Sequence, residues 1–288
     1  MKIIDCFTFF NELDLLELRL KLLDEHVDHF VLAESNITHS GQPKPFYFEE
    51  NKTRFEQWLH KIVYIPVKQS AEGLVFAAET SYNPKSSAWK LENGQRNALS
   101  GAAAVIADDD LVLLSDLDEI PDPVLLKKIN TADGPVVLSL LFHYYFLNCQ
   151  NIGNERWWNG MIASSGKQFK ETSPQVLRDK RNELPVMKKA GWHFSYLGGL
   201  EKIKEKIRSF AHTEFNKKEF LDDGNIIKAM EEGKDIFDRP GISYQFVSLY
   251  FYPPYLRNIM KQYPHLLYQK SKDSAWNKIY FDIKNSFR

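Results

Sequence analysis

The most constraining feature of this 288-residue chain is a rhythm at its start. Residues 2–10 (Lys-Ile-Ile-Asp-Cys-Phe-Thr-Phe-Phe) form a β-rich run, and residues 13–23 carry apolar side chains at helical spacing. Residues 27–33 (Val-Asp-His-Phe-Val-Leu-Ala) form a second strand-length run that stops at Glu34. Two strands joined through a helix are parallel, and the crossover between them is right-handed. In this reading Glu17, Arg19 and Lys21 belong to the polar positions of the crossover helix. A third run covers residues 61–67. The expected class is therefore α/β: a Rossmann-type sandwich with a mostly parallel central sheet flanked by helices.

The run Leu111-Val-Leu-Leu-Ser-Asp116-Leu-Asp118-Glu119-Ile-Pro121 extends this sheet. Four apolar residues specify a buried strand, and the charges begin where the strand ends. Alternation along a strand lets Asp116 and Asp118 share a face and turns Glu119 away from them. Ligands of open α/β sheets bind at the C-terminal ends of the strands. Two hard oxygen donors there suit Mg²⁺ or Mn²⁺ carrying a phosphorylated substrate. Taken alone, the pattern is also that of a solvated turn.

The totals exclude several classes. A formal net charge of -1 gives no basic field for nucleic acid. The two cysteines, Cys6 and Cys149, lie in apolar runs and read as buried thiols. No Gly-x-x-x-x-Gly-Lys-Ser/Thr, Gly-x-Gly-x-x-Gly, Gly-x-Ser-x-Gly or His-Glu-x-x-His motif occurs. No window is apolar for long enough to span a membrane, and the first residues lack a signal-peptide core. The chain is expected to be cytoplasmic, peripheral to a membrane face.

Further along, residues 89–107 read as one long helix carrying Arg96-Asn97, which can deliver a guanidinium near the strand ends. Glu34 ends the second strand and faces the same crevice, where it can take a nucleobase edge or ribose; a helix or turn cap is the plainer alternative. His193, after Trp192, is the best third metal ligand, with His212 next. Lys206 and Arg208, on a basic helix at 200–211, can neutralise a diphosphate. Trp157, Trp158 and Asn159 fall in a loop rich in Trp, Asn and Gly, which suits stacking on a sugar acceptor.

Four runs together resemble glycosyltransferase family 17, the β-1,4-mannosyl-glycoprotein N-acetylglucosaminyltransferase family, within the GT-A class. They are Asp5-Cys-Phe-Thr-Phe-Phe-Asn-Glu-Leu-Asp-Leu-Leu-Glu-Leu-Arg-Leu20, Glu34-Ser-Asn-Ile-Thr-His-Ser-Gly41, Ser115-Asp-Leu-Asp-Glu-Ile-Pro121 and Gly191-Trp-His-Phe-Ser195. The resemblance implies a GT-A-like fold over residues 1–214, with 215–288 as a helical or irregular extension packed on the same domain. It also implies a UDP-sugar donor, UDP-GlcNAc in the first instance, a saccharide or glycan acceptor, a divalent metal (Mn²⁺ or Mg²⁺) and inversion at the anomeric carbon. Asp116, Asp118 and His193 would hold the metal, and Phe9, Asn11, Glu34 and Arg96 the nucleoside. An inverting transfer needs a base for the acceptor hydroxyl; Glu119 and Glu214 are the candidates. Two rival readings stay open at this point. One is a metal-dependent nucleotidyltransferase, and the other a non-catalytic glycan-binding module built on the tryptophans.

Overall fold

A computed structural model describes residues 1–77 and 79–269 of the chain. Its centre is one sheet of strands β1 (Ile3–Phe9), β2 (His29–Ser35), β3 (Ile62–Val67), β4 (Leu111–Asp116), β5 (Glu119–Pro121), β6 (Val136–Tyr144), β7 (Cys149–Asn151), β8 (Trp157–Ser165), β9 (Val186–Met187), β10 (Gly191–Ser195) and β11 (Tyr244–Phe246). The main path runs β11-β7-β6-β8-β4-β1-β2-β3, with β10 beside β5 and β6, and β9 beside β6. Helices are α1 (Leu13–Leu23), α2 (Tyr47–Glu50), α3 (Ser87–Asn97), α4 (Gly166–Glu171), α5 (Pro174–Asp179), α6 (Gly199–Ser209), α7 (Asp223–Glu232) and α8 (Pro254–Met260). None of the helices among the described residues is long and apolar enough to cross a membrane.

The sheet has two halves. From β4 through β1 and β2 to β3 every pair is parallel. Beyond β4 the path turns antiparallel, at β4/β8, β6/β8, β6/β7 and β7/β11. The expectation of a mostly parallel sheet is corrected to a mixed one. The cause is connection length: a parallel crossover takes about a dozen residues or more, and β6 and β7 are joined by a short turn (145–148). The residues expected to form a Trp-rich loop begin β8. The long helix expected at 89–107 ends at Asn97 and continues as a 3₁₀ stretch, Ala98–Val105.

Alternation along β1 divides the core. Ile3, Phe7 and Phe9 pack with the leucines of α1, and Ile4 and Cys6 pack on the other face with Leu99 and Ala102. The far end of the described chain joins the same layers. Leu256 and Met260 of α8 lie in the cluster of α1, and β11 adds a strand at the sheet edge. Residues 270–288 lie outside the described residues.

Packing on two sides makes α1 buried nearly all round, and this overturns the reading of Arg19 as a polar-face residue. Arg19 is fully buried. Its Nε and Nη2 donate to the two oxygens of Asp5 at 2.8 and 2.6 Å, and Nη2 also donates to Ser115 Oγ at 2.7 Å. Its Nη1 donates to the carbonyls of Asp116, Leu117 and Glu119 at 3.1, 2.9 and 2.7 Å. One guanidinium thus anchors β1 to the turn that follows β4. Removing one partner of a buried pair leaves the other uncompensated, which costs about 3–5 kcal/mol. Arg19→Met should therefore lower the free energy of unfolding in urea by about that amount; a loss below about 1 kcal/mol, the scale of a surface pair, would contradict this role.

Candidate active site

The parallel half sets the edge where the site forms. Thr8 pairs with Asp116, and Phe9 with Glu34, so the strands finish side by side. β4 stops at Asp116, and the chain turns through Leu117 and Asp118 before β5. The two aspartates therefore do not sit on one face of a strand, and they have different surroundings.

Asp116 belongs to the protein's own charge network. Oδ1 accepts from Thr8 Oγ1 and Arg96 Nη2, each at 3.0 Å, and Oδ2 from Arg178 Nη2 at 2.7 Å. Burial alone would raise its carboxyl, but the Arg178 and Arg96 guanidiniums outweigh this and hold it well below the usual range. Glu119 lies beneath it. The turn brings Glu119 back toward Asp116, against the expectation from alternation: Glu119 Oε2 accepts from the Asp116 amide at 2.9 Å. Arg178 donates to both Glu119 oxygens, at 2.7 and 2.8 Å, and the Trp158 indole N–H donates to Oε1. Glu119 is fully buried. A carboxylate so engaged has no lone pair placed for an acceptor proton, so Glu119 is corrected from candidate base to structural partner.

Asp118 has the other environment. Its Oδ2 accepts from Lys206 Nζ at 2.9 Å, and its Oδ1 lies 3.3 Å from His193 Nε2. Burial would raise this carboxyl too, but the Lys206 ammonium and His193 hold it well below the usual range. Register explains the histidine: β10 pairs His193 with Glu119 across the β5/β10 ladder, and the Phe194 amide donates to the Asp118 carbonyl at 2.8 Å. The imidazole stacks on Phe142, with centroids 4.7 Å apart and planes 8° apart, and lies 5.0 Å from the Trp158 ring. Its Nδ1 is buried without a hydrogen-bond partner, an uncommon condition for a buried polar atom. Lys206 also lies 3.9 Å from Glu12. A small pocket beside it is lined by Asn11, Glu12, Leu15, Phe194, Tyr196 and Lys206, among others.

The remaining expected site residues fall into two sets. Arg96 reaches the strand ends as expected, buried between Asp116, Glu92 and Gln175. Asn11 lines the pocket, whereas the Phe9 ring is buried in the core and its carbonyl accepts from Gln95. Glu34 is turned inward: its oxygens accept from Lys44, the Tyr47 and Phe48 amides and the Tyr64 hydroxyl. Those four donors fill a carboxylate's capacity, so Glu34 caps the start of α2 and is corrected as a nucleoside ligand. Arg208 lies on the exposed side of α6, two residues from Lys206 and so on a different face. Along β8, Trp157 and Asn159 are exposed and Trp158 between them points to Glu119 and His193. Glu214 pairs with His212. Arg178 was missed, because a guanidinium on a six-residue helix sixty residues downstream carries no local signal.

The donor set suits a divalent cation only with help. Among the described residues no group of three or more His, Cys, Asp or Glu is placed to hold a metal. Asp118 and His193 supply one carboxylate and one imidazole, a set that suits Mn²⁺ or Mg²⁺ when phosphate oxygens and water fill the other positions. Asp116 already accepts three hydrogen bonds, two of them from arginines that balance its charge, so it fits less well as a ligand than Asp118.

The structure thus places a carboxylate turn at the ends of the parallel strands of a mixed α/β sheet. The chain belongs to glycosyltransferase family 17, whose sequence profile matches residues 1–267. It is 31% identical over 136 residues to the beta-1,4-mannosyl-glycoprotein 4-beta-N-acetylglucosaminyltransferase of Rattus norvegicus, a match covering 44% of this chain and 23% of the rat protein. The Homo sapiens protein of the same name gives 31% identity over 44% of this chain and 24% of its own length. The match thus spans about a quarter of these curated relatives. Among solved structures, the inositol-1-phosphate CTP transferase of T. maritima aligns with a TM-score of 0.36 and 11% identity, over 75% of this chain and 96% of its own.

Gly160 tests the packing of the network. A Cβ there would lie 1.9 Å from Glu119 Oε1 and 2.1 Å from the Trp158 indole nitrogen, and the Gly160 carbonyl accepts from Arg178. Gly160→Ala should cost about 1–3 kcal/mol of stability, the usual range for overpacking, measured by urea unfolding. A cost near zero would mean that Glu119 is not held as described.

Proposed function

We propose that this chain is a metal-dependent, inverting glycosyltransferase that moves N-acetylglucosamine from a UDP-sugar to a saccharide acceptor. The observation that carries the proposal is the Asp118 environment: one ionised carboxylate at the strand ends, flanked by an imidazole and an ammonium, beside a pocket. Family membership and the names of the curated relatives support the reaction class and the transferred sugar.

Asp118 and His193 would hold the cation, whose chemistry is Lewis-acid stabilisation of a departing diphosphate. The residues of the chain supply the rest. Lys206 keeps a positive charge beside Asp118; burial would lower its pKa, but Asp118 and Glu12 raise it above the ordinary lysine value. The ammonium therefore stays protonated where leaving-group charge develops. Arg96 and Arg178 balance Asp116 and Glu119, so the charges left beside the pocket are those of Asp118, Lys206 and Glu12. Asn11 and Glu12 close the pocket on the side of α1.

UDP-, GDP- and CMP-sugars screened by thermal shift, with and without Mn²⁺, test the proposal. A ligand at 100 times its dissociation constant adds about 2.7 kcal/mol, and UDP-GlcNAc should do so in a Mn²⁺-dependent way. Asp118→Asn should abolish that stabilisation. Asp116→Asn should lower stability yet keep a Mn²⁺-dependent donor shift. The proposal fails if no nucleotide sugar stabilises the wild-type chain with Mn²⁺.

A further inference from the structure

A second polar pair lies beyond α6. His212 follows α6, and its Nδ1 lies 2.8 Å from Glu214 Oε1. The carboxylate side chain is 10% exposed and the imidazole 39% exposed. A buried carboxylate on Nδ1 favours the Nδ1–H tautomer and leaves the Nε2 lone pair as the acceptor. This is the arrangement of a base oriented by a third group.

The dyad has a lining suited to a sugar. The His212 ring lies 5.0 Å from the Trp89 ring centroid, 5.7 Å from that of Tyr82 and 5.6 Å from that of Phe210. Tyr82 is 56% exposed, and the Trp89 indole nitrogen is buried without a hydrogen-bond partner. Aromatic faces with a polar group among them suit the apolar face and hydroxyls of a pyranose.

Chain geometry ties the dyad to Asp118. From Lys206 to His212 the chain runs through the last helical residues of α6 and a bend at residues 210–211, so that even a fully extended end piece would keep the two Cα atoms within about 15 Å. The Ser40 amide donates to the Ser209 carbonyl at 3.3 Å, His39 Nδ1 lies 3.5 Å from Glu92, and Glu92 accepts from Arg96 at 2.8 Å. Rings link the two places directly: Lys206 Nζ, which donates to Asp118, lies 5.3 Å from the Tyr196 centroid, and Tyr196 lies 6.3 Å from Phe210, whose ring is 5.6 Å from that of His212.

We propose that His212 is the catalytic base of the transfer, that Glu214 is its positioning residue, and that Trp89 and Tyr82 seat the acceptor sugar. This rests on the glycosyltransferase reading above. In the step, the acceptor hydroxyl oxygen bonds to the anomeric carbon while the bond from that carbon to the diphosphate oxygen breaks. The electron pair leaves with UDP, and the hydroxyl proton passes to Nε2 of His212. Glu214 takes no proton.

The test uses the full chain with Mn²⁺ and UDP-GlcNAc. Donor binding is read by calorimetry, and turnover by UDP release with a mannosyl oligosaccharide or with water as acceptor. His212→Ala should keep the donor dissociation constant within about threefold and lose turnover by about 10²–10⁴-fold, the usual weight of a general base; added imidazole should restore part of it. His212→Asn, whose amide can still donate to Glu214, should be equally inactive with an unchanged melting temperature. Glu214→Gln should lower kcat with little change in the donor KM. Full turnover by His212→Ala with normal donor binding overturns the base assignment alone. A wild-type chain that binds no UDP-GlcNAc overturns the reaction reading, and the base assignment with it.

Discussion

The structure depends on one buried guanidinium. Arg19 joins Asp5 in the middle of β1 to the three carbonyls of the turn after β4. Bringing that ion pair out of water is expensive, and a well-packed apolar pair often does as well for stability alone. What the charge provides is a fixed turn. Carbonyls at Asp116, Leu117 and Glu119 converge on one nitrogen, so the backbone reverses tightly and sends successive side chains to different places. Phe7 supports the arrangement from below, with the guanidinium carbon 4.4 Å from its ring centroid.

From that turn the carboxylates separate by environment. Asp116 and Glu119 share Arg178, and Asp116 also takes Arg96, so this layer is neutralised within the protein. Asp118 is set toward α6 and β10, where Lys206 and His193 meet it. Two aspartates one residue apart therefore have unlike tasks: the first holds two helices to the sheet, and the second is set between an ammonium and an imidazole. This is the pattern of paired titratable groups whose surroundings set different roles. Trp158 links the layers, since its indole bonds to Glu119 while its ring lies under His193.

Much of this was legible in the sequence. The apolar run into Asp116-Leu-Asp118 located the end of β4, the spacing of residues 13–23 gave α1, and of the further residues read as candidates for the same site, Lys206 and His193 lie against Asp118. The failures share a physical cause. Periodicity shows that a helix has an apolar face, but not that a second element will cover the opposite face. Arg19 was therefore read as solvated, when α8 and the sheet enclose α1. Glu34 ends a strand at the ligand edge, yet nothing local says that two amides of α2 will turn toward it. The tryptophans at 157 and 158 looked like loop residues because Gly160 follows them; that glycine instead marks a close approach of β8 to Glu119. The antiparallel half of the sheet was hidden because its connections are short and its strands apolar, a composition that parallel strands share.

The division of labour between the two aspartates is the central claim, and anomalous diffraction from crystals grown with Mn²⁺ and UDP tests it most directly. The account predicts one manganese peak bound by Asp118 and His193, with Asp116 still paired to Arg96 and Arg178. A manganese coordinated by Asp116, with either arginine released, would contradict it.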